Sequence, residues 1–308
     1  MRPLISPYLL AAFAVSLVSA TALAQSESAP PRRLADSVAD LALPSPRAQT
    51  GTPAAGKRVF LRPAGDTTGP AAVLALPSNW SAEEVWPVFV ELPGNGGYRD
   101  SRGDSCTGLP EDCSLGFGLT AGRDWIWLSL PFLSADGSRT AITWWGDPPE
   151  YNPSATLEFW QQILQSVLRN YSGDSHCVVL AGFSRGAIAC NALGLHDDRT
   201  SQLWTAFLPY SHYDGVRRWP YPDSTPAAAA ARLQRLQQRP QFICAEGTQT
   251  EITRKWLAGH LEPAAPQFQF HATGFVNHSD HWVLHDVPAR RAARAWLQQL
   301  RKQRSTPK

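Results

Sequence analysis

The sequence carries almost no net charge: 28 Lys and Arg stand against 26 Asp and Glu, a balance of +2. So even a balance offers no strong field to a polyanion, which argues against nucleic acid or an anionic membrane surface as a partner. No C-x-x-C pair occurs among the five cysteines, which weakens any structural zinc or dithiol redox reading. The 22 Gly and 26 Pro recur at no fixed period, which excludes a fibrous repeat, and no other internal repeat is found. After the first segment, no apolar run approaches the ~18 residues of a membrane span. Methionine is down to one residue while tryptophan reaches twelve, enough indoles for a core and for an aromatic binding surface. What is present is ample apolar material, 43% of 308 residues, which rules out a wholly disordered chain.

Residues 1–24 read as a secretory signal. Arg2 gives the positive start, Leu9 to Val18 the apolar run, and Ala22-Leu23-Ala24 the A-x-A cleavage pattern. The expected product is a soluble protein, secreted or periplasmic, beginning at Gln25. Residues 25–56, rich in Ala, Pro, Ser and Arg without sustained periodicity, read as a flexible leader. Residues 57–308 form the folded domain, with no further boundary. Cys106 and Cys113 flank a Gly/Asp/Pro-rich stretch, and a small-loop disulfide there suits an oxidising compartment. Cys177, Cys190 and Cys244 lie in apolar segments and read as buried thiols.

From Lys57 onward, strand-like runs alternate with helical ones. Strands are expected over 58–61, 71–76, 88–92, 125–130, 177–181, 203–208, 241–245 and 267–271. Asn152-Pro153 reads as a helix start, followed by Leu157, Trp160, Leu164 and Val167 at helical spacing. Further helices are expected over 186–195, 227–238, 252–260 and 288–301. This alternation implies an α/β fold, a mostly parallel central sheet with helices on both faces.

The sharpest motif is Gly182-Phe183-Ser184-Arg185-Gly186, between an expected strand and an expected helix. A serine at so tight a turn has a strained backbone, and glycines on either side remove the clashes that side chains would make. Its hydroxyl then projects from the sheet, with helix amides directed at a developing oxyanion. Pro93-Gly94-Asn95-Gly96-Gly97 ends an earlier strand and offers a second amide, from Asn95 or Gly96, beside that of Arg185.

With these elements in this order, residues 58–302 resemble the α/β-hydrolase superfamily, most of all its secreted bacterial esterase and polyester-depolymerase-like branches. The resemblance implies an eight-stranded, mainly parallel sheet, a Ser-His-acid triad and no cofactor. Its base is expected in a loop after the last strand, where His278 is the first choice and His281 the close rival, with His285 beyond an apolar run. The three histidines with Asp280 or Asp286 also allow a metal site, but they match no zinc signature and no metal is assigned. The acid departs from the family register, which counted from Gly247 falls on Thr250. Asp214, in an aromatic turn-rich stretch, is the favoured acid, with Glu251 and Glu246 as alternatives.

Trp144 and Trp145 lie in a long connection after an expected strand and, with Tyr213, are candidates for the substrate wall. Trp219 and Tyr221 are further candidates, and Arg185, Arg217 and Arg218 offer contacts to a carboxylate. The reading is a serine hydrolase acting on a small-molecule or polymeric ester, carbohydrate-linked esters included. A peptidase or acyltransferase with the same nucleophile, or an inactive carbohydrate-binding protein, are the alternatives. Oligomeric state is left open.

Overall fold

A computed structural model of the chain describes residues 31–261 and 267–304. The signal expected over 1–24 lies outside the described residues. In chain order the strands and helices are β1 (Arg58–Leu61), β2 (Ala72–Ala75), β3 (Trp86–Leu92), β4 (Tyr98–Arg99), β5 (Ser105–Cys106), α1 (Leu115–Thr120), β6 (Ile126–Ser129), α2 (Ser154–Asn170), β7 (Gly173–Phe183), α3 (Arg185–Ala192), α4 (Asp198–Ser201), β8 (Ala206–Tyr210), α5 (Pro226–Leu233), β9 (Gln241–Ala245), α6 (Gln249–Ala258), β10 (Phe268–Ala272) and α7 (Pro288–Arg304).

Eight strands form one sheet in the order β1-β2-β6-β3-β7-β8-β9-β10, and β4 pairs with β5 apart from it. β2 runs antiparallel to both neighbours, β1 and β6; from β6 to β10 every pairing is parallel. Central strands of such a sheet are covered on both sides, so they read as unbroken apolar runs. β3 is buried along its whole length. Its alternate residues serve opposite layers. Val88, Val90 and Leu92 join a cluster with Trp160, Ile163 and Leu164 of α2 and Ile188 of α3. Phe89 joins the other, with Leu115 of α1 and Ala293 and Leu297 of α7. Each fully buried large side chain contributes roughly 1.5–3 kcal/mol.

The expected elements all occur, β1 and β9 over the expected residues and the others with shifted ends. An Asx turn leads into α2, whose N-cap is Pro153: the Ser154 amide donates to Asn152 Oδ1 at 3.0 Å. The strand expected over 203–208 begins later, because a short helix, α4, runs to Ser201 before it.

Glu91 is a buried charge inside β3 that apolar patterning passes over. Its Oε1 accepts the amides of Ser114 and Leu115, at 3.1 and 2.9 Å. Its Oε2 accepts the Gly116 amide and the Trp127 indole N–H, both at 2.8 Å. One carboxylate thus caps α1 and fixes it to the sheet. Burial and the charge of Asp280 push this carboxyl up to about 7, against the pull of those amides and of Arg58.

The described part of the segment expected as a flexible leader is packed on the domain instead. Arg32 bridges Phe275, and Gln49 bridges Val59. The Leu34 amide donates to Asn277 Oδ1 at 2.7 Å, and Asp40 pairs with Arg290 at 2.6 Å. Leu34, Leu41 and Leu43 rest on the cluster around α1 and α7. Backbone bridges and scattered leucines hold it, so no periodicity marks it.

The expected Cys106–Cys113 disulfide is also corrected: both are free thiols. Cys113 is turned into the apolar cluster with Phe89 and Leu115, while Cys106 sits on β5 opposite Tyr98. Burial raises both thiols, Cys106 to about 11. Cys177, Cys190 and Cys244 are buried thiols, as expected.

Candidate active site

Ser184 forms the turn between β7 and α3, with φ 54° and ψ −110°. A non-glycine residue at positive φ is strained, and the packing around the turn holds it there. A Cβ on Gly182 would stand 2.3 Å from the Gly186 carbonyl carbon, and one on Gly186 would stand 2.2 Å from the Leu92 oxygen. Only glycine fits either place. β7 lies between β3 and β8, so the hydroxyl emerges at the carboxyl edge of the sheet's centre.

His278 comes from the loop after β10 and Glu246 from the residue after β9. His278 Nε2 is 3.0 Å from Ser184 Oγ, and its Nδ1 is 2.8 Å from Glu246 Oε1. A carboxylate can only accept, so Nδ1 carries the ring proton and Nε2 is free to accept from the serine. Burial would raise the Glu246 carboxyl, but the hydrogen bond and charge of His278, its own amide and the Ser211 hydroxyl hold it below its ordinary value. Ser211 Oγ lies 2.9 Å from Glu246 Oε1 and 3.0 Å from His278 Nδ1.

Asp104 fixes the histidine loop. Its Oδ2 accepts the His278 amide and its Oδ1 the Asn277 side-chain amide, both at 2.8 Å. The imidazole is enclosed by the rings of Phe183, Tyr98 and His212, at centroid distances of 4.8, 5.0 and 5.1 Å. Local sequence carried no signal for Ser211, Asp104 or His212, although 209–215 stood out as an aromatic turn-rich stretch.

Of the two loop amides, Gly96 is ruled out as a donor to substrate, because it donates to the Ile142 carbonyl at 2.5 Å. Asn95 lines the cavity that holds Ser184 and His278. Arg185 opens α3, where first-turn amides have no carbonyl within the helix. Asn95 and Arg185 both line that cavity beside Ser184.

The Arg185 side chain does not reach for a carboxylate. It is buried, donates to the carbonyls of Ala141, Thr143 and Gly108, and lies 4.1 Å over the Phe132 ring. Burial lowers its pKa to about 9. It clamps the loop bearing Trp144 to the nucleophile turn.

Several other expectations are corrected. Asp214 is not at the imidazole. Its Oδ1 accepts from Tyr221 at 2.6 Å and its Oδ2 from Arg232 at 2.9 Å, in a buried ion pair beside α5. Glu251 is on the surface of α6, paired with Arg254 at 3.5 Å. His281 faces a separate cavity with Cys106 and Asp280, and His285 Nδ1 lies 3.0 Å from Ser37 Oγ. Trp145 packs in the core against Phe132 and Tyr221. Tyr213 is buried and donates to Gln241 Oε1 at 2.7 Å. Trp144 alone of those three lines the Ser184 cavity, joined by Trp219, Tyr98 and Ile188 around about 160 Å³.

No protein-family model and no curated protein sequence matches the chain. Among solved structures, a candidate dipeptidyl aminopeptidase IV from Bacteroides ovatus is similar at TM-score 0.50 and 14% identity, over 79% of this chain and 35% of that one. A thermostable esterase is similar at TM-score 0.47 and 13% identity, over 78% of this chain and 62% of that one. A structure from an analysis of two fungal esterases from Rhizomucor miehei is similar at TM-score 0.47 and 14% identity, over 80% of this chain and 82% of that one. The chain thus spans less than two thirds of the first two of these. The sheet order, the parallel pairings and the strand-turn-helix at Ser184 define an α/β-hydrolase fold.

Proposed function

We propose that this chain is an exported serine hydrolase that cleaves carboxylic esters with Ser184, His278 and Glu246. The observation that carries the reading is the unbroken line of contacts from Ser184 Oγ through the imidazole to Glu246, at 3.0 and 2.8 Å. His278 Nε2 takes the serine proton as Oγ attacks the ester carbonyl. The amides of Arg185 and Asn95 receive the oxyanion. The tetrahedral intermediate collapses, His278 returns the proton to the leaving alcohol, and an acyl-enzyme remains. Water, deprotonated by the same nitrogen, releases the acid. Glu246 holds the ring and stabilises its charged form, and Ser211 and Asp104 keep ring and loop in register.

Supports for the substrate class are the cavity and its walls. About 160 Å³ is room for a benzene-sized group, so a short or single-ring acyl group enters while the rest of a polymeric or carbohydrate-linked ester stays outside. The inactive-binder reading loses its main argument, since a carboxylate does stand within reach of the base.

A short-chain nitrophenyl ester tested beside a peptide nitroanilide checks this reading. Wild type should turn over the ester, and Ser184→Ala should lose at least ~10³-fold. Preference for the anilide would make it a peptidase, and turnover of neither would end the hydrolase reading. Export is checked by the N-terminus of the secreted protein, expected at Gln25.

A further inference from the structure

A second imidazole stands in the same cavity, unused by the steps above. His212 follows β8 and lines the cavity with Ser184, Asn95, Trp144 and Trp219. Its ring centroid is 5.1 Å from that of His278 and 5.2 Å from that of Trp219. Its Nδ1 is 3.2 Å from Nη2 of Arg217. A guanidinium has donors only, so Nδ1 must accept and the neutral ring carries its proton on Nε2. Burial, then the charges of His278 and Arg217, push this imidazole down to about 3, against the pull of Glu246 and the Ser211 carbonyl. At neutral pH it is an uncharged donor.

Sheet order tells which flank it serves. The nucleophile stands at the end of β7, with β3 on one side and β8, β9 and β10 on the other. Asn95 arrives from the β3 side, where the carbonyl oxygen of a substrate would be held. His212, Glu246 and His278 all arrive from the other side. The leaving-group oxygen must lie within reach of His278 Nε2 to receive its proton. It therefore departs on the flank where His212 stands.

We propose that His212 is a further catalytic residue, whose Nε2–H donates a hydrogen bond to the leaving-group oxygen of the ester; this rests on the serine-hydrolase reading. As the tetrahedral intermediate collapses, the bond from carbon to that oxygen breaks and its electron pair stays on the oxygen. The proton comes from His278 Nε2. His212 keeps its own proton and stabilises whatever negative charge has not yet been neutralised. An aliphatic alkoxide gathers more such charge than a nitrophenolate, which needs no help to leave. The site is thereby suited to esters of ordinary alcohols rather than activated ones.

The test compares an ethyl ester with a nitrophenyl ester of the same short acid, in wild type, His212→Phe, His212→Gln and Arg217→Met. In His212→Phe, kcat/KM for the ethyl ester should fall roughly 10- to 100-fold more than for the nitrophenyl ester. Glutamine, which restores a donor, should recover part of that difference. Arg217→Met, an exposed change that frees the tautomer, should give a smaller loss of the same kind, readable even if the phenylalanine variant does not fold. An ethyl-to-nitrophenyl ratio that stays constant across the variants overturns the proposal. Wild type that hydrolyses neither ester, and takes no fluorophosphonate on Ser184, overturns the underlying reading along with it.

Discussion

Asp214 is a buried carboxylate and Glu246 a partly buried one, and their neighbours assign them different work. Asp214 has Arg232 and Tyr221 on its two oxygens, while Glu246 has the imidazole and a hydroxyl. Glu246→Gln should lower kcat by about 10²–10⁴, since the amide no longer fixes the imidazole tautomer or its charge. Asp214→Asn should instead destabilise by about 1–3 kcal/mol, because it leaves the partly buried Arg232 guanidinium without its countercharge. Urea titration beside steady-state kinetics separates the two outcomes. Asp214 attracted attention in the sequence for its aromatic, turn-rich setting, and that setting does bury it. Its partner Arg232 lies on α5, at a distance along the chain that local reading does not cover. Glu246 was visible only as one of two alternatives, because the acidic residue falls directly after β9 instead of later in the loop.

Strands and helices were legible wherever burial is periodic or continuous. The runs at 58–61 and 241–245 match β1 and β9 to the residue: β9, buried between two parallel neighbours, reads as an apolar run, and β1, an antiparallel edge strand, is marked by its β-rich Val59-Phe60-Leu61. Turn chemistry was legible too: the glycines flanking Ser184 are dictated by contacts of 2.2–2.3 Å that any Cβ would make. Glu91 was invisible for the opposite reason, a lone acid within an apolar strand whose four donors come from α1 and β6. It yields a prediction for this element. Its folded carboxyl is raised to about 7 from 4.5, so ionisation disfavours the folded state. Relative to Glu91→Gln, wild type should lose stability as pH rises from about 4.5 to about 7, by on the order of 3 kcal/mol. Urea midpoints at several pH values check the slope, and a flat difference would refute it.

At the scale of the whole molecule, the fold brings together residues that the chain keeps far apart. Ser184, Glu246 and His278 follow β7, β9 and β10, three mutually parallel strands of one sheet, and so arrive at a common edge. That convergence was legible as an order of elements: strand, glycine-rich loop, serine turn, acid, late histidine. The segment 31–56 was not, since its grip on the domain depends on contacts with Asn277, Phe275 and Arg290 from the opposite end of the chain. The most direct measurement of the central claim is mass spectrometry of the intact protein and its peptides after reaction with a fluorophosphonate. One adduct is predicted, on the peptide bearing Ser184, formed at least ~10³-fold more slowly in His278→Ala. An adduct on another residue, or undiminished labelling of Ser184 without the imidazole, would contradict the account.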